Sequence, residues 1–539
     1  MWGRSGIFAL IFAGFVCGQE LHVSGPRIRA HIKYLADDEL EGRAVGTRGE
    51  QLATDYLAGQ LRIEGVQPAG DNQTYFQSVP MVGATTLPSA TMVLVGRRGK
   101  APLVLGTEYV GTALSQQQQN DFSAEAVFVG HGISAPEFNW DDYKGENVSG
   151  KVLVFFTNEP PSEDPNFFGG RALTYYGRWT YKFEEAARRG AVAALIIHTT
   201  PTAGYSWGVV AGSWGQENVQ LRLKRGDQGL SFAGWLTEQA GAKLVAATGK
   251  SVDQLLALAN QKDFRPIDLG VRLTAHVPVQ LRPVMSRNVI GRIPGADRQL
   301  TSQAVLFSAH WDHLGIGVPV HGDNIYNGAL DNASGCAVLL EIARIWSALP
   351  QKPKRSAVFL FTTAEEAGLL GSQYYGEHPE IAAVQTAADL NFDMLSPFGP
   401  TRDIGVNGAE RTTLWPLVQR AAQRMQLDIS PDPEPEQGHY YRSDHFSLAR
   451  AGIPSFSISP GTNYVGKPAK FGQTAFEDFN ANRYHQPSDE YRDDWDVSGM
   501  EQLAQFGITL GLDVANSPKL PTWKAGDEFL RARKASGVH

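Results

Sequence analysis

Apolar residues recur at helical spacing over residues 28–35 and 50–58, which predicts two amphipathic helices. The turn-rich stretch Gly42-Arg43-Ala44-Val45-Gly46-Thr47 lies between them. Short β-like runs follow at 126–129, 151–156 and 193–197, with a helical segment near 181–189 and many Gly-, Ser- and Trp-bearing loops. From residue 288 the texture changes again. Strand-length apolar runs at 304–308, 357–361, 388–392 and 454–458 alternate with helical segments at 333–346, from Glu366, at 414–425 and at 497–513. This alternation predicts an α/β fold, a mostly parallel twisted sheet with helices on both faces. The middle stretch reads as a β-rich domain at 106–285, inserted in a host formed by 19–105 and 286–539.

Residues 1–18 have a separate character. Arg4 precedes the apolar run 7–16, too short to span a bilayer as a helix but suited to the core of a signal peptide cut ahead of Gln19. Cys17 invites a lipoprotein reading, but Phe15-Val16 is bulky where such signals carry small residues, so simple secretion ranks first. Cleavage leaves Cys336 as the sole cysteine, and no intramolecular disulfide can form. Export without disulfides points to a bacterial periplasm or exterior.

Composition narrows the classes. The 539 residues are 42% apolar and 19% charged, ordinary globular values that exclude a disordered chain, a collagen-like repeat and a coiled coil. A net charge of −8 offers no grip on a phosphate backbone, so nucleic acid is not an expected partner. No stretch after residue 18 is apolar enough to cross a membrane.

Candidate chemistry collects where strands end, the edge at which open α/β sheets bind ligands. His310-Trp311-Asp312-His313 closes the strand ending at Ser308, and Asp331 opens the helix that follows. Glu365-Glu366 come after the strand ending near Thr363, Asp393 ends the next strand, and His485 lies in a later loop. Singly, most have ordinary structural readings: Asp331 as a helix N-cap, Glu365-Glu366 as a solvated first turn, His310 as a hydrogen-bonded core histidine. Jointly, two histidines and four carboxylates at one sheet edge carry excess negative charge that needs cations. Mixed His and carboxylate ligands suit Zn2+, with Co2+ and Mn2+ as alternatives. Five ligands exceed what one catalytic zinc takes. They suit two metals sharing a carboxylate, roughly 3.5–4 Å apart, with the sixth residue left as a base.

Five stretches carry a family likeness: 308–315 (SAHWDHLG), 328–335 (GALDNASG), 363–372 (TAEEAGLLGS), 391–394 (NFDM) and 484–487 (YHQP). In this order and spacing they resemble the two-zinc bacterial aminopeptidases, whose clan also holds glutamate carboxypeptidase and the single-zinc glutaminyl cyclases. Asp38-Glu39-Leu40-Glu41-Gly42-Arg43 resembles that family's opening segment, and residues 140–145 and 150–154 resemble its inserted protease-associated domain. The resemblance implies that Asp331 bridges two Zn2+ ions, that Glu366 and His485 complete one, and that His310 and Asp393 complete the other. It further implies Glu365 as general base, Asp312 as the carboxylate orienting His310, and Tyr484 as a hydrogen-bond donor to the developing oxyanion. The implied activity is release of N-terminal amino acids from peptides through a metal-bridging water, with the insert covering the cleft and limiting substrate size.

Other readings stay open on the same residues. A carboxypeptidase, dipeptidase or glutaminyl cyclase would keep the fold, and a peptide-binding receptor would need no base at Glu365. Gly204-Tyr205-Ser206-Trp207-Gly208 fits the nucleophile-elbow pattern of serine hydrolases but lacks a strand directly before it. Cys336 reads as a buried small hydrophobe. In Arg442-Ser443-Asp444-His445-Phe446, Ser443 reads as a helix cap, while His445 or Tyr441 is placed against substrate. His313 and His321 read as neighbours of the metals that do not bind them.

Overall fold

The computed structural model describes residues 22–97 and 99–535. The signal-peptide reading of residues 1–18, with Cys17, lies outside the described residues. Two large sheets organise the chain. The first runs in the order 218–221, Phe76–Thr86, Val279–Ile293, Ser356–Thr362, Ala304–His310, Thr386–Phe392, Ser455–Pro460, Asp403–Gly405, Asp428–Ser430. Its centre, from Ser356–Thr362 through Ser455–Pro460, is parallel, and the long strands Phe76–Thr86 and Val279–Ile293 pair antiparallel beside it. The sheet is therefore mixed, with its parallel part where the sequence alternates strand and helix.

Side chains of the central strands alternate between two cores, as the two-residue period of a strand requires. Val305, Phe307, Ala309, Phe359 and Phe361 point into the larger one, against the helices Gly25–Leu35, Arg48–Ile63, Gly335–Ser347 and Ser498–Asn516. Leu306, Val358 and Leu360 point the other way, against Tyr375 and Leu448 of the helices Leu370–Glu377 and His445–Arg450. Both faces being buried explains why these strands read as continuous apolar runs.

The second sheet has eight strands, all drawn from residues between 91 and 276. Between Thr86 and Val279, which pair with each other, the described chain returns to the first sheet only as the edge strand Asn218–Leu221. Strands Thr91–Gly96 and Gly99–Leu103, placed by sequence in the host, belong to this second sheet. Residues 279–285, placed in the insert, already pair with Phe76–Thr86 of the first. The apolar alternation of these strands is the same on either side of the crossing, so texture alone does not mark it. Among the described residues no helix is long and apolar enough to cross a membrane.

Candidate metal centre

The carboxyl ends of the parallel strands converge on one point. His310 ends its strand, and its Nε2 lies 3.2 Å from Asp331 Oδ1 and 3.2 Å from Asp393 Oδ1. On the other side, His485 Nε2 lies 3.4 Å from Asp331 Oδ2 and 3.0 Å from Glu366 Oε2. Asp331 thus turns one oxygen toward each of two clusters. The atoms of His310, Asp331 and Asp393, and those of His313, Asp331 and Glu366, each lie within 4.8 Å of one another.

Local backbone sets these positions. Asp331 does not cap a helix. It lies in the tight turn Ala329–Ser334, which holds a cis Asp331–Asn332 peptide, and Asn332 Oδ1 accepts the Gly335 N–H at the start of the helix Gly335–Ser347. Asp489 secures the turn, accepting the N–H groups of Leu330 at 2.9 Å and Asp331 at 3.0 Å. Gly328 before it has φ +58°, and a Cβ there would stand 2.5 Å from the His313 ring.

Glu365 and Glu366 do not open a helix either. Ala364 and Leu369 take φ of +52° and +64°, and helix starts only at Leu370. The Asp312 carboxylate accepts the N–H groups of Glu365 at 3.1 Å and Glu366 at 3.3 Å, which takes the place of helical capping. Asp312 Oδ1 is 3.8 Å from His310 Nδ1, which faces the Asp312 carbonyl at 3.2 Å. This residue therefore positions the two glutamates more directly than it orients His310.

The charge balance calls for cations. Among the described residues no Lys or Arg pairs with Asp331, Glu365, Glu366 or Asp393; Asp331, Glu366 and Asp393 form ion pairs with histidines alone. Burial alone would lower the His310 pKa, yet Asp393, Glu365 and Asp331 lift it well above its usual range. His485 is likewise raised to about 10, its burial outweighed by Glu366 and Asp331. Glu365 is pushed well above the usual carboxylate range, by burial and then, against His310, by Glu366, Asp393 and Asp444. A cluster that recruits protons this strongly has the donor types and the charge to hold divalent cations. The buried Nε2 of His313 has no hydrogen-bond partner.

Sequence reasoning missed several contributors. His313, read as a bystander, places Nδ1 2.6 Å from Glu366 Oε1. Ser443 caps no helix; its hydroxyl donates to Asp393 Oδ2 at 2.6 Å. Tyr441 and His445, placed against substrate by sequence, are buried instead. The Tyr441 hydroxyl donates to Glu528 at 2.8 Å, and His445 packs 4.8 Å from the Tyr440 ring. His321 is exposed, outside both clusters. The Tyr484 ring stacks on His485 at 3.9 Å, and lost solvation followed by the charges of Asp331, Glu366, Glu365 and Asp393 keeps its phenol protonated. Cys336 is buried, its Sγ 3.1 Å from the His310 carbonyl. Ser206 follows the short helix Thr200–Ala203 rather than a strand, so the elbow context is missing.

Residues 288–506, which carry the central strands and every residue of both clusters, match the profile of Peptidase family M28. Over these residues the chain is similar to peptidase family M28. A probable lipoprotein aminopeptidase, LpqL, of Mycobacterium tuberculosis is 27% identical over 505 residues, which cover 88% of this chain and 82% of that protein. An aminopeptidase of Pseudomonas aeruginosa is 26% identical over 467 residues, 83% of this chain and 72% of its own. Among solved structures, the aminopeptidase from Aneurinibacillus sp. strain AM-1 aligns over 94% of this chain and 97% of its own, with a TM-score of 0.53 and 21% identity. That last likeness is one of fold.

Proposed function

We propose that this protein is a peptidase of family M28, an exported two-zinc aminopeptidase that removes N-terminal residues from peptides. The observation that carries the reading is Asp331, whose two carboxylate oxygens face separate His-carboxylate clusters. His310 and Asp393 would hold one ion, Glu366 and His485 the other, with Asp331 shared. His313 stands beside the second group, bonded to Glu366. Two ions there would supply Lewis acidity, polarising the scissile carbonyl and easing the ionisation of water.

The residues around them divide the remaining work. Glu365 takes the proton of the attacking water and returns it to the departing amine, which it can do because it is not needed as a ligand. Asp312 holds the backbone of both glutamates, so Glu365 and Glu366 keep different directions despite being adjacent. Tyr484, protonated at neutral pH, offers its hydroxyl to the developing oxyanion. The body built on the second sheet is read as a protease-associated insert that covers the cleft and limits substrate size. Contacts between that body and the peptidase body support the placement: the Tyr175 and Phe446 rings lie 4.9 Å apart, and Arg450 pairs with Glu184 at 3.0 Å.

Turnover on matched aminoacyl anilides, with free and with blocked amines, tests the reading. It predicts cleavage of the free-amine set alone, abolished by chelator and restored by zinc. Cleavage of the blocked set, or turnover indifferent to chelator, contradicts it.

A further inference from the structure

A line of polar side chains runs inward from Asp393. Asp389, Asn391 and Asp393 are alternate residues at the end of the strand Thr386–Phe392, so they share one face. Ser308, on the neighbouring strand, is in register with Asn391. Ser443 reaches the line from the segment before the helix His445–Arg450. Asp389, Asn391, Ser308 and Ser443 are all buried. The contacts are continuous. Ser443 Oγ donates to Asp393 Oδ2 at 2.6 Å, and Asn391 Nδ2 donates to Ser443 Oγ at 2.9 Å. Ser308 Oγ lies 2.9 Å from Asn391 Oδ1 and 2.7 Å from Asp389 Oδ1.

The line has a direction. Asp393 is an acceptor at the metal centre, so Ser443 spends its one hydroxyl hydrogen on it. A donor must then approach Ser443, which turns the Asn391 amide with Nδ2 toward Ser443 and Oδ1 toward Ser308. The same Nδ2 faces His445 Nδ1 at 3.4 Å, and burial keeps that imidazole neutral by lowering its pKa to about 3. Ser308 has one hydrogen for two oxygens. With Asp389 ionised, one of the two contacts would set oxygen against oxygen with no hydrogen between. With Asp389 protonated both are complete: it donates to Ser308, and Ser308 donates to Asn391.

The surroundings of Asp389 suit a neutral carboxyl. Its Oδ2 is buried without a hydrogen-bond partner, which costs a carboxylate far more than an acid. Burial lifts its pKa well above the usual carboxylate range, with Ser308 opposing and the Asp444 charge adding. Tyr375, from the helix Leu370–Glu377, also feels Asp389 and is itself kept protonated by burial.

We propose that Asp389 is a positioning residue for Asp393, heading a one-way chain of hydrogen bonds through Ser308, Asn391 and Ser443 that occupies Asp393 Oδ2 and leaves Oδ1 for the ion beside His310. The proposal rests on the two-zinc reading and deepens it. Asp393 Oδ1 is the oxygen that faces His310 Nε2, at 3.2 Å. With Oδ2 held, Asp393 ligates through one oxygen and does not turn both on the metal. Apolar residues would fill this face without any such chain. Keeping a proton on Asp389 at neutral pH costs stability, because the unfolded chain releases it.

Infrared difference spectra of the wild type against Asp389→Asn at pH 7.5 read the head of the chain. The wild type should show the carbonyl stretch of a protonated carboxyl that the variant lacks; loss of carboxylate bands instead overturns the proposal. Chelator competition reads the other end. Asp389→Asn keeps a donor toward Ser308 and should match the wild-type zinc affinity. Ser308→Ala and Asn391→Leu interrupt the chain but leave every proposed ligand in place. Each should weaken binding of one ion by about 10-fold or more, the scale on which support behind a ligand acts. The visible spectrum of the cobalt-substituted protein should shift in these two variants and not in Asp389→Asn, which separates altered ligation from general loosening. If one interrupted variant fails to fold, the other carries the measurement. Affinity and spectrum unmoved in the interrupted variants, or moved equally in Asp389→Asn, overturn the proposal. A wild type that binds no zinc overturns the two-zinc reading and the ligand role with it, whereas a carboxylate signature at Asp389 overturns the proposal alone.

Discussion

Asp489 accepts the backbone N–H of Asp331 at 3.0 Å, so one carboxylate sits directly behind the carboxylate shared by the two clusters. It also accepts the Leu330 N–H at 2.9 Å and supplies its own carbonyl to the Ala329 N–H. Three successive peptide groups of the turn are thereby tied to the loop that carries His485. Burial raises the Asp489 pKa to about 6, against the N–H groups that lower it, so the anion is retained at neutral pH.

Asp489→Ala should leave the turn free to relax and weaken metal binding by about 10- to 100-fold, the usual cost of losing support behind a ligand. Chelator competition at pH 7.5 measures it. An unchanged zinc affinity would mean that the turn holds Asp331 without Asp489.

Arg43 should prove irreplaceable for stability. Its buried guanidinium donates to the carbonyls of Leu35, Trp311, Asn327 and Gly328, joining the opening segment to the loops around His310 and Asp331. Removing it strands several buried carbonyls, each worth about 1–3 kcal/mol. Arg43→Met should therefore lose at least about 3 kcal/mol in urea unfolding, and Arg43→Lys most of the same, because one ammonium cannot span the four acceptors. A loss below 1 kcal/mol in either would contradict this.

Acid should destabilise the second body through His131. The ring is buried between the Thr157 carbonyl at 3.1 Å and Asn260 Oδ1 at 2.8 Å, and burial followed by the Lys182 charge lowers its pKa to about 4 from 6.5. The unfolded chain takes up a proton below pH 6.5, whereas the folded ring resists until about pH 4. Stability is therefore complete above pH 6.5 and declines through that window, by about 2–3 kcal/mol at pH 4.5. His131→Gln should show a correspondingly smaller fall between pH 7 and 4.5. An equal fall in both proteins would place the acid sensitivity elsewhere.

Much of this was legible in the residues, for a physical reason. Strands buried on both faces leave long apolar runs, and polar residues at their ends then stand out, as His310 and Asp393 do. What sequence could not supply was direction. Glu365-Glu366 look like a helical first turn because nothing local reveals the positive φ at Ala364 and Leu369 or the Asp312 carboxylate that takes their N–H groups. Ser443 sits where a helix cap would, and only the fold shows it bonded to Asp393. Nothing local to His313 reveals its bond to Glu366, which comes from another strand end.

The division of labour between adjacent glutamates is the centre of the account, and zinc titration of Glu365→Gln tests it most directly. The account predicts two equivalents of zinc bound by the wild type and the variant alike, with turnover lower in the variant by at least about 100-fold, in keeping with loss of a general base. Loss of zinc from Glu365→Gln, or turnover close to wild type with both ions bound, would contradict the assignment.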